Sequence, residues 1–413
     1  MADPRSVAVV AEWPAHTQEP RPWTTNPDAR DSSGRRPPYE DRTLEEIMVS
    51  IPPSIADITP RLSPSTTIAV EEAAAAIVTL DEGIGARLGA LSGFLLRSES
   101  IATSKIERIY ANLDDFARAL AGQHAGEEAR QTAAAVAAIG SLVDRAETSP
   151  LTVEVIDEAH RRLLADDPTE GHYAGTHRPM QNWIGGNDFS PRLAEYVPPP
   201  RELVGALMGD LEAAANHTDV PVLSQAAIVH AQFESIHPYT DGNGRIGRAL
   251  INVVLRRRRL TRRLVVPIAS VMLADVDEYF ARLDAYRGGD ADGFVRYTAN
   301  AATLASDEAT TSALALAELP GRWRGAVHAR GGSATDKLLD RLLDTPVLTD
   351  KTAAAAAGSS VRRIYDALER LAEGRILTEV TGKERDRVWV VADVLDELDR
   401  LEQRIGRRKR GAG

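Results

Sequence analysis

Ile236-His237-Pro238-Tyr239-Thr240-Asp241-Gly242-Asn243-Gly244-Arg245-Ile246-Gly247-Arg248 is the stretch around which this chain is organised. A proline after the histidine fixes the direction of the backbone. The Asp-Gly-Asn-Gly turn that follows carries little side-chain bulk, so successive N–H groups can converge on one point. Arg245 and Arg248 are three residues apart and share one face of a helix. The run Ala249–Leu255 that continues it is apolar enough to be buried. Glycine loop, helix start and forked cations together make an anion site. Asp241 among phosphates calls for an intervening cation, hence Mg²⁺. His237 at the loop mouth is the natural base near neutral pH. The stretch predicts a nucleoside triphosphate with its metal and a base aimed at a nucleophile. The plainer alternative is a turn before an amphipathic helix, with His237 structural. Six or seven positions agreeing in chemistry and order favour the anion site.

These residues resemble the signature of Fic proteins, HPFx(D/E)GNGRxxR. His237, Pro238, Asp241, Gly242, Asn243, Gly244, Arg245 and Arg248 match it. Tyr239 stands where Phe is usual, which keeps the aromatic anchor and adds a hydroxyl that needs a partner. The resemblance implies a protein adenylyltransferase that moves AMP from ATP to a Ser, Thr or Tyr hydroxyl of a target protein, which includes the chain itself as a candidate target. His237 would deprotonate the hydroxyl, and Asp241 would hold Mg²⁺. Asn243 and the amides of Gly242 and Gly244 would bind phosphates. Arg245 and Arg248 would hold the outer ones.

Upstream, Ser98-Glu99-Ser100-Ile101-Ala102-Thr103-Ser104-Lys105-Ile106-Glu107-Arg108 places Thr103 and Glu107 four apart on one helical face. This is similar to the inhibitory motif (S/T)xxxE(G/N) of many Fic proteins. The resemblance implies that Glu107 pairs with Arg248 and crowds the γ-phosphate position. Arg108 departs from the family's Gly or Asn, which puts the way the helix ends in question.

The chain has 413 residues, a formal net charge of -11 and no cysteine. The length allows two to four domains. The charge argues against a nucleic-acid coat, and the absence of cysteine excludes a disulfide framework and suits a reducing cytoplasm. The N-terminus lacks a signal-peptide core, and no apolar run is long enough to span a membrane. Residues 1–42, with proline recurring from Pro14 to Pro38, read as an irregular arm laid on the folded body. Residues 43–148 read as an N-terminal helical region with the inhibitory helix. They include a short helix from Thr43 to Met48 and a long one beginning near Thr67. Residues 149–310 read as the catalytic core, in which Tyr279, Phe280, Phe294 and Tyr297 are core aromatics and His160 is a packed or surface residue.

Within that core, Trp183-Ile184-Gly185-Gly186 and Tyr196-Val197 read as two strands of a hairpin. The segment is similar to the Fic flap, which implies that Trp183, Ile184, Gly185 and Gly186 dock a target segment by backbone pairing. Arg330–Ser333 marks a linker. Residues 334–396 then resemble a winged helix-turn-helix, with Ser359, Ser360, Arg362, Arg363 and Tyr365 on or near a recognition helix and the wing at Gly382-Lys383. Residues 397–413 read as a solvated helix end with a basic tail.

The expected fold is mainly α: a Fic helical core with a small β-hairpin flap, plus a C-terminal winged helix-turn-helix domain. The expected partners are ATP with Mg²⁺, a hydroxyl-bearing target protein, DNA at the C-terminal domain and a second copy in a homodimer, with no membrane. The rival reading is a DNA-binding transcriptional regulator that senses ATP without turnover. A further one keeps the Fic fold and transfers another phosphate-containing group.

Overall fold

Ile47 and Val49 are buried while Met48 between them is exposed, the period of two that defines a half-buried strand. In the computed structural model, which describes residues 7–30, 33–85, 88–382 and 386–411, Glu46–Ile51 is therefore a strand and not the end of a helix. The N-terminal strands are β1 (Ala8–Val10), β2 (Thr17–Pro22), β3 (Glu46–Ile51) and β4 (Ile58–Pro60). β2 pairs antiparallel with β3, Thr17 opposite Ile51 and Pro22 opposite Glu46, and β1 pairs parallel with β4. The helix expected from Thr43 to Met48 is absent. Thr43 instead closes the short helix α1 (Tyr39–Arg42), its N–H and hydroxyl both donating to the Tyr39 carbonyl at 3.0 Å. The arm is thus more regular than its prolines suggest. Pro20 and Pro22 are tolerated because β2 has an unpaired edge.

Twelve helices, counting α1, build the body among the described residues: α2 (Pro64–Val78), α3 (Ala90–Ile106), α4 (Leu113–Leu120), α5 (Glu127–Arg145), α6 (Val153–Leu164), α7 (Arg201–Ala215), α8 (Val222–Ile236), α9 (Asn243–Arg257), α10 (Ile268–Ala274), α11 (Val276–Arg287) and α12 (Ala291–Ala326). α2 starts earlier than Thr67 because Ser63 caps it and Pro64 occupies its first turn. A wider helical turn at Thr79–Ile84 ends it, where Gly83 weakens the helix. α8 and α9 pack against each other at the centre, with every residue from Leu223 to Ile236 and from Asn243 to Arg256 buried. Tyr279, Phe294 and Tyr297 join that core, but Phe280 is 46% exposed on the outer face of α11. α12 packs along α2 and continues past residue 310 to Ala326.

Beyond the 330–333 linker come α13 (Ala334–Leu339), β5 (Val347–Thr349), α14 (Asp350–Ala357), α15 (Val361–Glu373), β6 (Leu377–Glu379) and β7 (Val388–Val391). The three strands form an antiparallel sheet in the order β5-β7-β6. Gly358, at φ 56°, makes the turn between α14 and α15. Lys383 lies outside the described residues. The last helix, α16 (Ala392–Gly411), is not the solvated tail its basic end suggests. Leu398, Leu401 and Ile405 follow helical spacing and are buried. Arg404 pairs with Glu308 of α12 at 2.9 Å and with Glu397 of its own helix at 3.0 Å, and Arg408 pairs with Glu308 at 3.0 Å, so Glu308 on α12 receives both basic residues.

Candidate active site

The loop between α8 and α9 holds two left-handed residues. His237 ends α8 at φ 50°, ψ 60°, its N–H bonded to the Phe233 carbonyl at 2.9 Å. Gly242 opens α9 at φ 75°, where an added Cβ would meet Leu163 at 3.0 Å. Between them, Tyr239 donates its N–H to Asn243 Oδ1 and accepts from Asn243 Nδ2, both at 2.9 Å. The side chain of Asn243 therefore braces the loop. What α9 offers a phosphate at that position is the unpaired backbone N–H of its first turn.

Four residues that the motif does not contain fix this loop from outside. His160 accepts the Gly175 N–H at Nδ1 (2.8 Å), so the ring proton sits on Nε2 and is donated to the Asp241 carbonyl at 3.0 Å. The same ring stacks on Tyr239 with centroids 3.7 Å apart. The Tyr239 hydroxyl finds its partner in Asp157 Oδ1 at 2.7 Å. Arg178 is buried and donates to the carbonyls of His237 (2.9 Å), Met180 (3.0 Å) and Pro199 (2.5 Å), tying the loop to the flap. Asn182 adds a bond to the Tyr239 carbonyl at 3.0 Å. His160 sits on a helix like any packed histidine. Arg178 was visible only as part of the flap run, without a sign of its burial.

The two arginines differ. Arg245 is buried and gives Nη2 to Asp241 at 2.6 Å. Its Nε and Nη1 are buried with no hydrogen-bond partner among the described residues, two donors left for an acceptor from outside the chain. Arg248, equally buried, donates Nε to the Thr103 hydroxyl at 2.7 Å, and Nη2 to the Thr103 carbonyl at 3.1 Å and to Glu107 Oε1 at 2.5 Å. Nη1 faces the Tyr279 hydroxyl at 3.5 Å. The structure thus brings Thr103, Glu107 and Arg248 together. Glu107 keeps 35% of its side chain exposed.

Arg108 answers how α3 ends. It takes the left-handed position at φ 62°, with its N–H on the Lys105 carbonyl and the Ile109 N–H on the Ser104 carbonyl, both at 3.0 Å. That is the helix-ending bond pair usually completed by glycine.

Burial, reinforced by the charges of Arg178 and Arg287, pushes the His237 imidazole down to about 3, so it is neutral at physiological pH. Burial opposes the charge on Arg248, but the Glu107 carboxylate beside it outweighs that and raises its pKa. Burial lifts Glu234 to about 7. Its carboxylate lies so close to α9 that a Cβ on Gly247 would overlap it.

The flap is less regular than a hairpin. A single bridge joins Ile184 to Tyr196, with the Ile184 N–H on the Tyr196 carbonyl at 2.8 Å. Gly185 and Gly186, both at φ 76°, turn the chain, and Asn187 Oδ1 then takes the N–H groups of Phe189 (2.8 Å) and Ser190 (3.2 Å). Side-chain capping replaces a second strand there. Trp183 meets Trp23 of the arm edge-to-face at 5.6 Å. Ser359, Ser360, Arg362 and Arg363 lie at the start of α15, with both arginines exposed. Tyr365 turns inward to Asp350 at 3.0 Å.

Among the described residues no group of three or more His, Cys, Asp or Glu side chains could cage a metal. The Asp241 side chain is 46% exposed beside the first turn of α9. One carboxylate of this kind fits Mg²⁺ that arrives with a nucleotide's phosphates, not a resident ion.

The match to a known family covers this same region. The model of the Fic/DOC family matches residues 150–255. The chain is 34% identical over 154 residues to protein adenylyltransferase fic-1 of Caenorhabditis elegans, covering 37% of this chain and 27% of that protein. It is 30% identical over 170 residues to protein adenylyltransferase Fic of Nematostella vectensis, covering 38% and 34%. The chain thus spans between a quarter and about a third of the curated relatives it matches. A crystal structure of a Fic family protein from Desulfovibrio desulfuricans G20 shares the fold, with TM-score 0.51 and 21% identity over 80% of this chain and 97% of that one. The His237–Arg248 loop built as described lies within residues 150–255, the stretch that matches the Fic/DOC family model.

Proposed function

We propose that this chain is a protein adenylyltransferase that moves AMP from ATP to a hydroxyl side chain of a target protein, and that Glu107 holds it inactive. The observation that carries the reading is the pair of orphaned donors on buried Arg245, in the first turn of α9 that follows the His237 loop. The relatives named protein adenylyltransferase support the reaction class.

The target oxygen forms a bond to the α-phosphorus as the bond to the β-bridging oxygen breaks. Pyrophosphate leaves, and the hydroxyl proton passes to His237. A base held near 3 is weak, but a triphosphate alongside raises it through its negative charge. A loose transition state also asks little of the base and much of positioning. The first-turn amides and Arg245 meet the phosphates, and Asp241 would hold Mg²⁺. That ion, when bound, neutralises charge on the phosphate oxygens. With Glu107 in place, Arg248 Nη2 is already taken and a carboxylate stands where the third phosphate would go.

The test uses ATP labelled at the α-phosphate. Glu107→Gly removes one charge-assisted bond, worth ~1.5–3 kcal/mol, so label on protein should rise by roughly 10- to 150-fold. Adding His237→Ala should abolish it. Label from the γ-position in place of the α-position, or none in any variant, would refute the proposal.

A further inference from the structure

Lys105 lies on the last turn of α3, two residues from Thr103 and two from Glu107. Residues at that spacing point to the opposite side of a helix. While Thr103 and Glu107 face Arg248, Lys105 reaches the other way and binds both carboxylate oxygens of Glu402 on α16, at 2.7 and 2.9 Å. Both partners are partly shielded, at 24% and 39% side-chain exposure. The helix end that carries Glu107 is therefore gripped on two faces, by α9 and by the last helix of the chain. A second contact reinforces the first. Arg118 of α4, just past the loop that follows Glu107, donates Nη1 to the Val380 carbonyl at the end of β6, at 2.6 Å. α16 itself is anchored on α12 through Arg404 and Arg408.

We infer that Lys105 and Glu402 are positioning residues for Glu107, and that the C-terminal unit holds the inhibitory helix end closed through them. This rests on the reading of Glu107 as the inhibitor. It makes displacement of α16 or of the β6–β7 sheet the route by which an event in the C-terminal unit would free Arg248. The chemistry is an ion pair between two helices, so the signal is mechanical and needs no ligand in the nucleotide site.

The test compares the full-length chain with Glu402→Ala and with the swap Lys105→Glu/Glu402→Lys. A partly exposed pair is worth about 0.2–1 kcal/mol, so Glu402→Ala should raise α-labelling by up to about fivefold. The swap should return it part of the way, since an acid in the last turn of α3 disfavours the helix. In a Glu107→Gly background, Glu402→Ala should add nothing. Equal labelling of Glu402→Ala and wild type, or a further rise with Glu107→Gly, overturns the inference. A Glu107→Gly chain that takes no label refutes the adenylyltransferase reading instead. Hydrogen exchange then still decides: amides of residues 103–109 should exchange faster in Glu402→Ala and slow again in the swap, and unchanged exchange sinks the inference.

Discussion

A methyl group on Gly244 would overlap the carboxylate of Glu107 and would also sit 2.7 Å from Arg248 Nη2 and 2.9 Å from Nη1. The absence of a side chain there lets the acid and the guanidinium meet above the first turn of α9. Gly244→Ala should therefore expel Glu107 and yet fail to activate, because Arg248 is displaced too. We expect labelling at or below the wild-type level, with no rescue from Glu107→Gly. Strong labelling of the single variant would show that Arg248 has room to adjust.

Tyr239→Phe restores the residue usual in the family signature and removes the bond to Asp157. The ring keeps its stack on His160. One hydrogen bond to a charged acceptor is worth ~1.5–3 kcal/mol, less where the acceptor stays hydrated. Chemical denaturation should record a loss of about 1 kcal/mol, with kcat of the Glu107→Gly form within about twofold.

His160→Ala leaves the Gly175 N–H and the Asp241 carbonyl without their partner and removes the stack. Its effect should fall on both stability and transfer: ~1–3 kcal/mol in denaturation and at least about tenfold in kcat. Burial holds the His160 pKa down to about 4, below its ordinary value. The folded chain thus binds fewer protons at this site, so its contribution to stability is complete above about pH 6.5 and is lost as pH falls towards 4. The stability gap between wild type and His160→Ala should narrow over that window.

Glu99 shows the opposite sign. Burial raises its carboxyl to about 8, although the Ala269 N–H at 2.9 Å favours the ionised form. The folded chain keeps the proton longer than the unfolded one, so stability from this group is full below about pH 4.5 and is lost as pH rises towards 8. Glu99→Gln should gain on wild type as pH rises from 5 to 8. A constant difference across that range would show that Glu99 ionises normally.

Arg108→Gly should stabilise the end of α3, because a left-handed residue other than glycine costs about 1–2 kcal/mol. A rise in denaturation midpoint with Glu107 still docked, read as unchanged low labelling, is the expected result.

The loop from His237 to Arg248 was legible because each position makes a local demand: glycines at the turns, cations one helical turn apart, a histidine before proline. Features resting on distant partners were not. Thr43 with Glu45 and Glu46 imitates a helix start, but Ile47 and Val49 obey β2, a strand some thirty residues earlier. His160 looked like a packed helix histidine because the Asp241 carbonyl it serves lies 81 residues away. The basic end of α16 looked solvated because Glu308, its acid partner, lies about a hundred residues earlier. Spacing alone also does not reveal that the Asn243 side chain turns back onto Tyr239.

Glu107 and Arg248 belong to one polypeptide, 141 residues apart in sequence and 2.5 Å apart in space. On the proposed inhibitory reading, Glu107 is a tethered competitor whose effective concentration is set by the fold and not by the amount of protein. Diluting the protein cannot weaken it and concentrating the protein cannot strengthen it. Only a rival for the same guanidinium, supplied in comparable excess, or a loosening of the tether itself, shifts that balance.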